Sequence, residues 1–262
     1  PEILRPLRVL ENRGVLETAT RILSMYGQIF RYAVHEGYIE SDPSRDLRGA
    51  ILAPTKKHFA AITKPDGVAE LLRTISRYHG SPVTKTAMMF GIMTFVRPGN
   101  LRAAEWAHLH DLDKPGMAEW RIPSEDMKIR RDYDFVVPLA PQAVTLLEEL
   151  RPYTGRGKYL FPSGRGASRC MSDATVTRAL RTMGYTPEEM TGHGVRAMAR
   201  TICHEVLGFK PDPIEEQLAH EKAGPLGCSY DRTMHLAERR RLMDTWADYL
   251  ERLLGTPLSL CA

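Results

Sequence analysis

Met190-Thr191-Gly192-His193-Gly194-Val195-Arg196-Ala197-Met198-Ala199 is the stretch on which the reading of this chain turns. It sets a histidine and an arginine three residues apart, on one face once a helix has begun. Such a pair can offer one imidazole and one forked guanidinium to a single phosphate. Thr191 and Gly192 before it, and the small residues after it, predict a capped, tightly packed, buried helix. The H-x-x-R pattern alone is short enough to arise by chance, so its meaning rests on what flanks it.

Upstream, Arg97 stands between apolar Phe95-Val96 and Pro98-Gly99-Asn100-Leu101, where Pro98 suits the first turn of a helix. A guanidinium at a helix start can fork onto phosphate oxygens while backbone N–H groups face the same anion. The competing reading is a surface ion pair. Lys128 lies in strand-like Met127-Lys128-Ile129-Arg130. Downstream, His220 closes Gln217-Leu218-Ala219-His220 at a helix end, where the macrodipole favours an imidazolium; a purely structural histidine suits that place equally. Tyr230 falls in a stretch without periodicity, residues 224–233. Its phenol, ordinarily ionising near about pH 10, needs adjacent positive charge or a proton acceptor to serve as a nucleophile. Arg97, Lys128, His193, Arg196, His220 and Tyr230 together are what attack on a phosphodiester without a metal requires.

Composition sets the bounds. With 262 residues, 43% of them apolar, the chain can bury a substantial core and suits one domain of about 200 residues plus a smaller piece. Net charge is +4, from 36 basic and 32 acidic residues, so global charge argues weakly for a nucleic-acid partner. Its distribution argues better: Arg151, Arg156, Lys158, Arg165, Arg169, Arg178 and Arg181 face the single acid Asp173 between positions 151 and 181. That excess would hold a polyanion, or else form a solvated face. No apolar run approaches the roughly 18 residues of a membrane span, and no basic-then-apolar leader is present, so a soluble protein without a membrane partner is expected. Cys170, Cys203, Cys228 and Cys261 show no C-x-x-C spacing, which points to reduced cytosolic thiols. His204-Glu205 does not extend to H-E-x-x-H, and no phosphate-binding glycine loop appears, so neither a metal nor a nucleotide cofactor is expected.

The organisation follows from periodicity. Leu16, Ala19, Leu23, Tyr26, Ile29, Phe30 and Ala33 recur at helical spacing and Gly37 follows as a stop, which predicts an amphipathic helix needing partners. A short helix precedes it and Ser41-Asp42-Pro43 opens another. This thin bundle, beginning at Pro1 instead of Met, is expected to be the end of a helical domain of a longer protein. The domain boundaries expected are residues 1–52 for the helical piece, 53–63 for a linker and 64–262 for the larger domain. In that domain, helices are predicted through Val68–Ile75, Pro82–Phe95, Pro98–Trp106, Pro141–Leu150, Ser172–Met183, Val195–Leu207, Ile214–His220 and Leu236–Leu253. Trp120–Pro123, Met127–Arg130 and Phe135–Leu139 are predicted as three antiparallel strands, with Arg131-Asp132-Tyr133-Asp134 turning between the last two. The fold class expected is α+β, mostly helical.

The ordered set Arg97-Pro98-Gly99-Asn100-Leu101-Arg102, a hairpin lysine, His193-Gly194-Val195-Arg196, Leu218-Ala219-His220 and Ser229-Tyr230 closely resembles the tyrosine recombinases, specifically the integrases of prophages and genomic islands. Glu17-Thr18-Ala19 through Ala33 resembles the end of that family's core-binding domain. Glu238-Arg239-Arg240-Arg241 extends the resemblance to the last helix. It implies a site-specific recombinase that cuts and rejoins DNA through a 3′-phosphotyrosyl intermediate to integrate or excise a mobile element. Arg97 and Arg196 become the arginine clamp, Lys128 the hairpin lysine, His193 and His220 the two histidines and Tyr230 the nucleophile. Arg130, Arg131, Arg165, Arg169, Arg178 and Arg181 become candidate DNA contacts. The implied partners are double-stranded attachment sites, a tetramer of the chain on DNA, and an excisionase and DNA-bending host proteins, in the bacterial cytoplasm. Asn100 departs from the glutamate many relatives carry, and the arm-binding domain that the resemblance implies is not among residues 1–262. A type IB topoisomerase-like enzyme and a catalytically silent DNA-binding remnant are the alternatives. Leu236–Leu253 is expected either to dock on a neighbouring copy or to bury its apolar side in its own domain.

Overall fold

The computed structural model describes residues 2–47, 49–55, 59–130, 132–220 and 235–259. The chain divides into two compact units, Pro1–His58 and Phe59–Ala262.

The first unit pairs α1 (Leu4–Asn12) with α2 (Leu16–His35), and Gly37 past the end of α2 takes the left-handed conformation expected of it. Leu7, Ala19 and Ile51 form its small core. Glu11 accepts the Leu52 backbone N–H, which ties the segment after the helices back to α1. The stretch opened by Ser41-Asp42-Pro43 makes only a 3-10 turn, Arg45–Leu47. Along α2, Met25, Ile29 and Tyr32 share one face and remain largely exposed.

The second unit is built around α4 (Pro82–Thr94), buried on every side from Thr84 onward. An all-round apolar helix must be covered on all faces. Its neighbours are α3 (Pro65–Ser76), α5 (Pro98–Arg102), α6 (Pro141–Thr154), α7 (Ala174–Thr182), α8 (Gly194–Glu205) and α10 (Leu236–Leu254); α9 (Pro211–Gln217) packs on α8 and α10. α4 stops because Phe95 turns into the left-handed region, at φ 38°, and Pro98 then starts α5.

A three-stranded antiparallel sheet covers one side in the order β1 (Leu109–His110), β2 (Glu119–Ile122), β3 (Phe135–Pro138), with Leu109 opposite Trp120 and Trp120 opposite Val137. Trp120 is buried and its ring lies 5.8 Å from that of Phe90 on α4.

The expected strand at Met127–Arg130 does not form. A 3-10 turn at Ser124–Asp126 breaks the chain direction, and Asn100 of α5 donates to the Asp126 carbonyl at 3.0 Å, so only Met127 is buried there and Lys128 and Arg130 face solvent. The third strand is β1, two residues long and too short to show a period. A separate hairpin, β4 (Pro162–Ser163) with β5 (Gly166–Cys170), lies inside the basic stretch that carried no strand expectation.

The apolar side of α10 is spent within its own unit. Leu242, Met243, Trp246 and Leu250 are buried, and the Trp246 indole donates to the Ile92 carbonyl of α4 at 3.0 Å. Arg239, wholly buried, fixes the start of the same helix. Its guanidinium donates to Gln217 Oε1 and to the Val136 carbonyl and lies over the Phe135 ring, joining α10, α9 and β3. Of the two roles open to this helix face, docking on a neighbouring copy or burial in its own domain, the structure shows the second. Among the described residues, no helix is long and apolar enough to cross a membrane.

Candidate active site

Three backbone segments meet in the second unit, and they hold two guanidiniums and an imidazole. Arg97 sits at the start of α5 with extended backbone. Arg196 lies in the first turn of α8 and is 5% exposed. His220 follows α9 by three residues, beyond Ala219, whose φ of 49° turns the chain sharply. Arg97 Nη2 donates to the Ala219 carbonyl at 2.7 Å, and Arg196 Nη2 donates to the adjacent Leu218 carbonyl at 2.6 Å. Arg196 Nη1 donates to the Phe95 carbonyl at 3.0 Å.

Phe95 and Ala219 are two of the four non-glycine residues at positive φ among those described, and each supplies a carbonyl to the arginines. A left-handed L-residue costs on the order of 1 kcal/mol and persists where surrounding structure enforces it. Here the left-handed turns aim carbonyl oxygens at guanidiniums.

The electrostatics follow from this packing. Burial, with the Arg97 charge beside it, pulls the Arg196 guanidinium down to about 10, which still leaves it protonated at neutral pH. Carbonyls orient a guanidinium without neutralising it, so the positive charge is available to an incoming anion.

His193 stands immediately before the first residue of α8, three positions ahead of Arg196. Thr191 Oγ1 accepts the Gly194 N–H at 2.9 Å, the capped start that the sequence implies. Burial, then the charges of Arg196, Arg97, His220 and Lys128, lower the His193 imidazole below its ordinary value of 6.5. It is thus neutral at pH 7 and able to accept a proton. The Phe59 ring packs on it with centroids 4.4 Å apart. Close by, a Cβ on Gly194 would lie 2.1 Å from the Ala60 carbonyl oxygen, so only glycine lets the 59–60 segment approach.

The structure brings Arg97, His193, Arg196 and His220 together. Lys128 is exposed on the connection between β2 and β3, and its charge reaches His193. Asn100 anchors that connection through Asp126, so the residue that departs from the family's glutamate still links α5 to the lysine segment. Tyr230 and Arg131 lie outside the described residues. Of the expected DNA contacts, Arg130, Arg165, Arg169 and Arg178 are exposed, the middle pair on the β4–β5 hairpin. Arg181 instead turns inward, donating to the carbonyls of Tyr185 and Met190 and closing the connection from α7 to α8.

Sequence reasoning missed Glu215. Its Oε2 lies 2.5 Å from His220 Nδ1, and its Oε1 accepts from Arg200 Nε at 2.6 Å. Burial works against ionisation of this carboxyl, and the hydrogen bonds from His220 and Arg200 outweigh it, holding it below the usual carboxylate range. Glu215 stands beside Glu216, which is buried, and nothing in the pair Glu215-Glu216 distinguishes the carboxylate that meets the histidine.

A helical unit with a small antiparallel sheet that brings two guanidiniums and two imidazoles together has counterparts among solved structures. The chain superposes on a lambda integrase dimer bound to a COC′ core site with a TM-score of 0.64 at 20% identity, covering 88% of this chain and 81% of that one. A lambda integrase tetramer bound to a Holliday junction gives 0.60 at 19%, covering 88% and 65%. Residues 1–50 match the phage integrase central domain. The integrase of Enterobacteria phage P4 is 37% identical over 98% of this chain and 60% of its own length, and the prophage integrase IntA of Escherichia coli K12 is 32% identical over 95% and 58%. Over nearly its whole length the chain is similar to tyrosine recombinases of the phage integrase type. It spans 60% of the phage P4 integrase and 58% of IntA.

Proposed function

We propose that this chain is the DNA-breaking and rejoining part of a site-specific integrase. The observation that carries the reading is the pair of guanidiniums held by the adjacent carbonyls of Leu218 and Ala219, with two imidazoles beside them. Two fixed positive charges around one seat suit the non-bridging oxygens of a phosphodiester and stabilise the charge that develops as it is attacked, the task metal ions perform elsewhere.

Tyr230 is the nucleophile in this reading. Its phenolic oxygen forms a bond to phosphorus while the bond to the 5′-oxygen breaks, leaving a 3′-phosphotyrosyl enzyme. His193, neutral at pH 7, takes or orients the phenol proton; Lys128 gives a proton to the leaving 5′-oxygen; His220 hydrogen-bonds the phosphate. The covalent bond conserves the phosphodiester energy, so a second 5′-hydroxyl can reverse the step on another strand without a nucleotide cofactor.

Double-stranded attachment DNA is the substrate. Arg130, Arg131, Arg165, Arg169 and Arg178 are assigned to its phosphates, and Arg181 to holding α7 against the approach to α8. The small helical unit, residues 1–52, serves as the end of the core-binding domain, and 64–262 as the catalytic domain. A tetramer on DNA follows from the need for four cuts when two duplexes exchange strands. The lambda integrase tetramer on a Holliday junction supports that assembly. Excisionase and DNA-bending host proteins complete the proposed partners, in the bacterial cytoplasm.

The test is covalent trapping on nicked duplexes from the ends of the element. Adduct mapped to Tyr230 and absent in Tyr230→Phe, with binding retained, is the expected result. Adduct formation by Tyr230→Phe at the wild-type rate would sink the assignment.

A further inference from the structure

The imidazole of His220 is held from both ends. Nε2 lies 3.1 Å from Arg196 Nη2, and Nδ1 lies 2.5 Å from Glu215 Oε2. A guanidinium only donates, so Nε2 accepts there, and the ring proton therefore sits on Nδ1 and is donated to Glu215. Arg200 holds the other carboxylate oxygen at 2.6 Å, which leaves Glu215 little freedom to turn away. Arg200, one turn after Arg196 on α8, thus braces a residue of α9 that in turn sets the ring standing beside Arg196.

Resting on the functional reading above, we propose that Glu215 is a positioning residue that fixes His220 as the Nδ1–H tautomer and supports it as an imidazolium once a phosphate occupies the site. A phosphate oxygen accepts and does not donate. For His220 to hydrogen-bond it through Nε2, that nitrogen must gain a proton from solvent, and the ring becomes cationic with both nitrogens donating. Arg97, His193 and Arg196 face the ring as cations or potential cations and oppose that charge. Glu215 is the carboxylate hydrogen-bonded to the ring, and Arg200 moderates it from behind. An orienting carboxylate behind a reacting imidazole characteristically contributes one to several powers of ten in rate.

The experiment compares the chain with Glu215→Gln and Glu215→Asp on nicked duplexes, reading adduct rate at saturating DNA from pH 6 to 9. Duplex affinity, melting temperature and 15N NMR of the histidine ring nitrogens in the DNA-free chain are measured alongside. Expected is an Nδ1–H signal for His220, a roughly 10–100-fold slower adduct rate in Glu215→Gln with affinity within about twofold, an alkaline limb moved to lower pH, and partial recovery in Glu215→Asp. Removing the carboxylate weakens the imidazolium, which is why the limb moves down. A wild-type rate and pH profile in Glu215→Gln overturns the proposal, and so does an Nε2–H tautomer in the wild-type chain. Should the wild-type chain itself form no adduct, the functional reading fails, and the tautomer, which needs no catalysis, decides this inference by itself. If Glu215→Gln melts early, Glu215→Asp and the tautomer carry the decision.

Discussion

Arg196 and the hairpin arginines Arg165 and Arg169 carry the same charge in opposite surroundings. Arg196 is 5% exposed, and Phe95, Leu218 and His220 fix its fork; Arg165 and Arg169 stand exposed on β5 or beside it. Burial strengthens a charge's field at a chosen point and removes its freedom, whereas exposure leaves it screened and adaptable. Chemistry needs the first and affinity the second. Arg196→Lys breaks this contrast most sharply: an ammonium is a single point and cannot satisfy two carbonyls while facing a phosphate. Adduct rate at saturating DNA is expected to fall about 10²–10³-fold, while duplex binding measured by gel shift changes little. Rapid cleavage by the lysine variant means that charge alone suffices.

Gly194→Ala attacks the same site through its backbone. A Cβ 2.1 Å from the Ala60 carbonyl forces either α8 or the 59–60 segment to move. Backbone on both sides cannot yield as a flexible side chain would, so a loss of about 1–3 kcal/mol is expected, read as a lower melting temperature. Gly192, whose added Cβ meets only a Val176 methyl at 3.6 Å, supplies the control, with a far smaller effect.

The paired glycines show how much is legible in the sequence. The pattern around 190–199 predicts a capped buried helix, and α8 is one; Arg97, His193, Arg196 and His220, far apart in the chain, lie together in the fold. A long periodic helix such as α10 stands in the sequence because one-sided burial imposes a period. The strand expected at Met127–Arg130 fails because alternation over four residues carries no information about an asparagine, Asn100, that bonds Asp126 from 26 positions away. Glu215 is invisible for a related reason: its partner is chosen by the sharp turn at Ala219, which no propensity for alanine predicts. Helix faces are written locally, and the contacts that aim side chains into a site are not.

On the exposed side of the contrast, Arg165→Ala with Arg169→Ala is expected to weaken duplex binding and to reduce the slope of log affinity against log salt by about 2, one for each phosphate no longer neutralised. Adduct rate at saturating DNA is expected to stay unchanged. An unchanged slope takes the β4–β5 hairpin off the DNA.

His193 lies between the two extremes, and pH separates them. Its folded value is below 6.5, by burial first and then by Arg196, Arg97, His220 and Lys128. The unfolded chain therefore binds more protons near that pH, so the contribution to stability is full above 6.5 and is lost as pH falls through 6.5 toward the folded value. Melting curves between about pH 7 and 5 should fall more steeply for the wild-type chain than for His193→Gln. Phe59→Ala, which opens the ring to water, should give an intermediate slope. Equal slopes in all three remove the burial of this ring from the account.

The smallest change tests whether the left-handed turn is a cost of the site. Ala219 holds φ at 49° while its carbonyl receives Arg97. Glycine adopts that region freely, so Ala219→Gly recovers on the order of 1 kcal/mol of local strain and gives back about half of it in unfolded-state entropy. A net gain of about 0.5 kcal/mol corresponds to a rise of about 1–2 °C in melting temperature for a domain of this size. The carbonyl keeps its aim because the same φ and ψ are now unstrained, so adduct rate should stay within about twofold. Phe95, the other left-handed residue whose carbonyl serves the cradle, offers no such gain, since its ring packs edge-on against Trp246 and glycine would leave a cavity. A more stable Ala219→Gly with a much slower adduct rate would mean that the methyl group, by narrowing the turn, itself keeps Arg97 and Arg196 on neighbouring carbonyls.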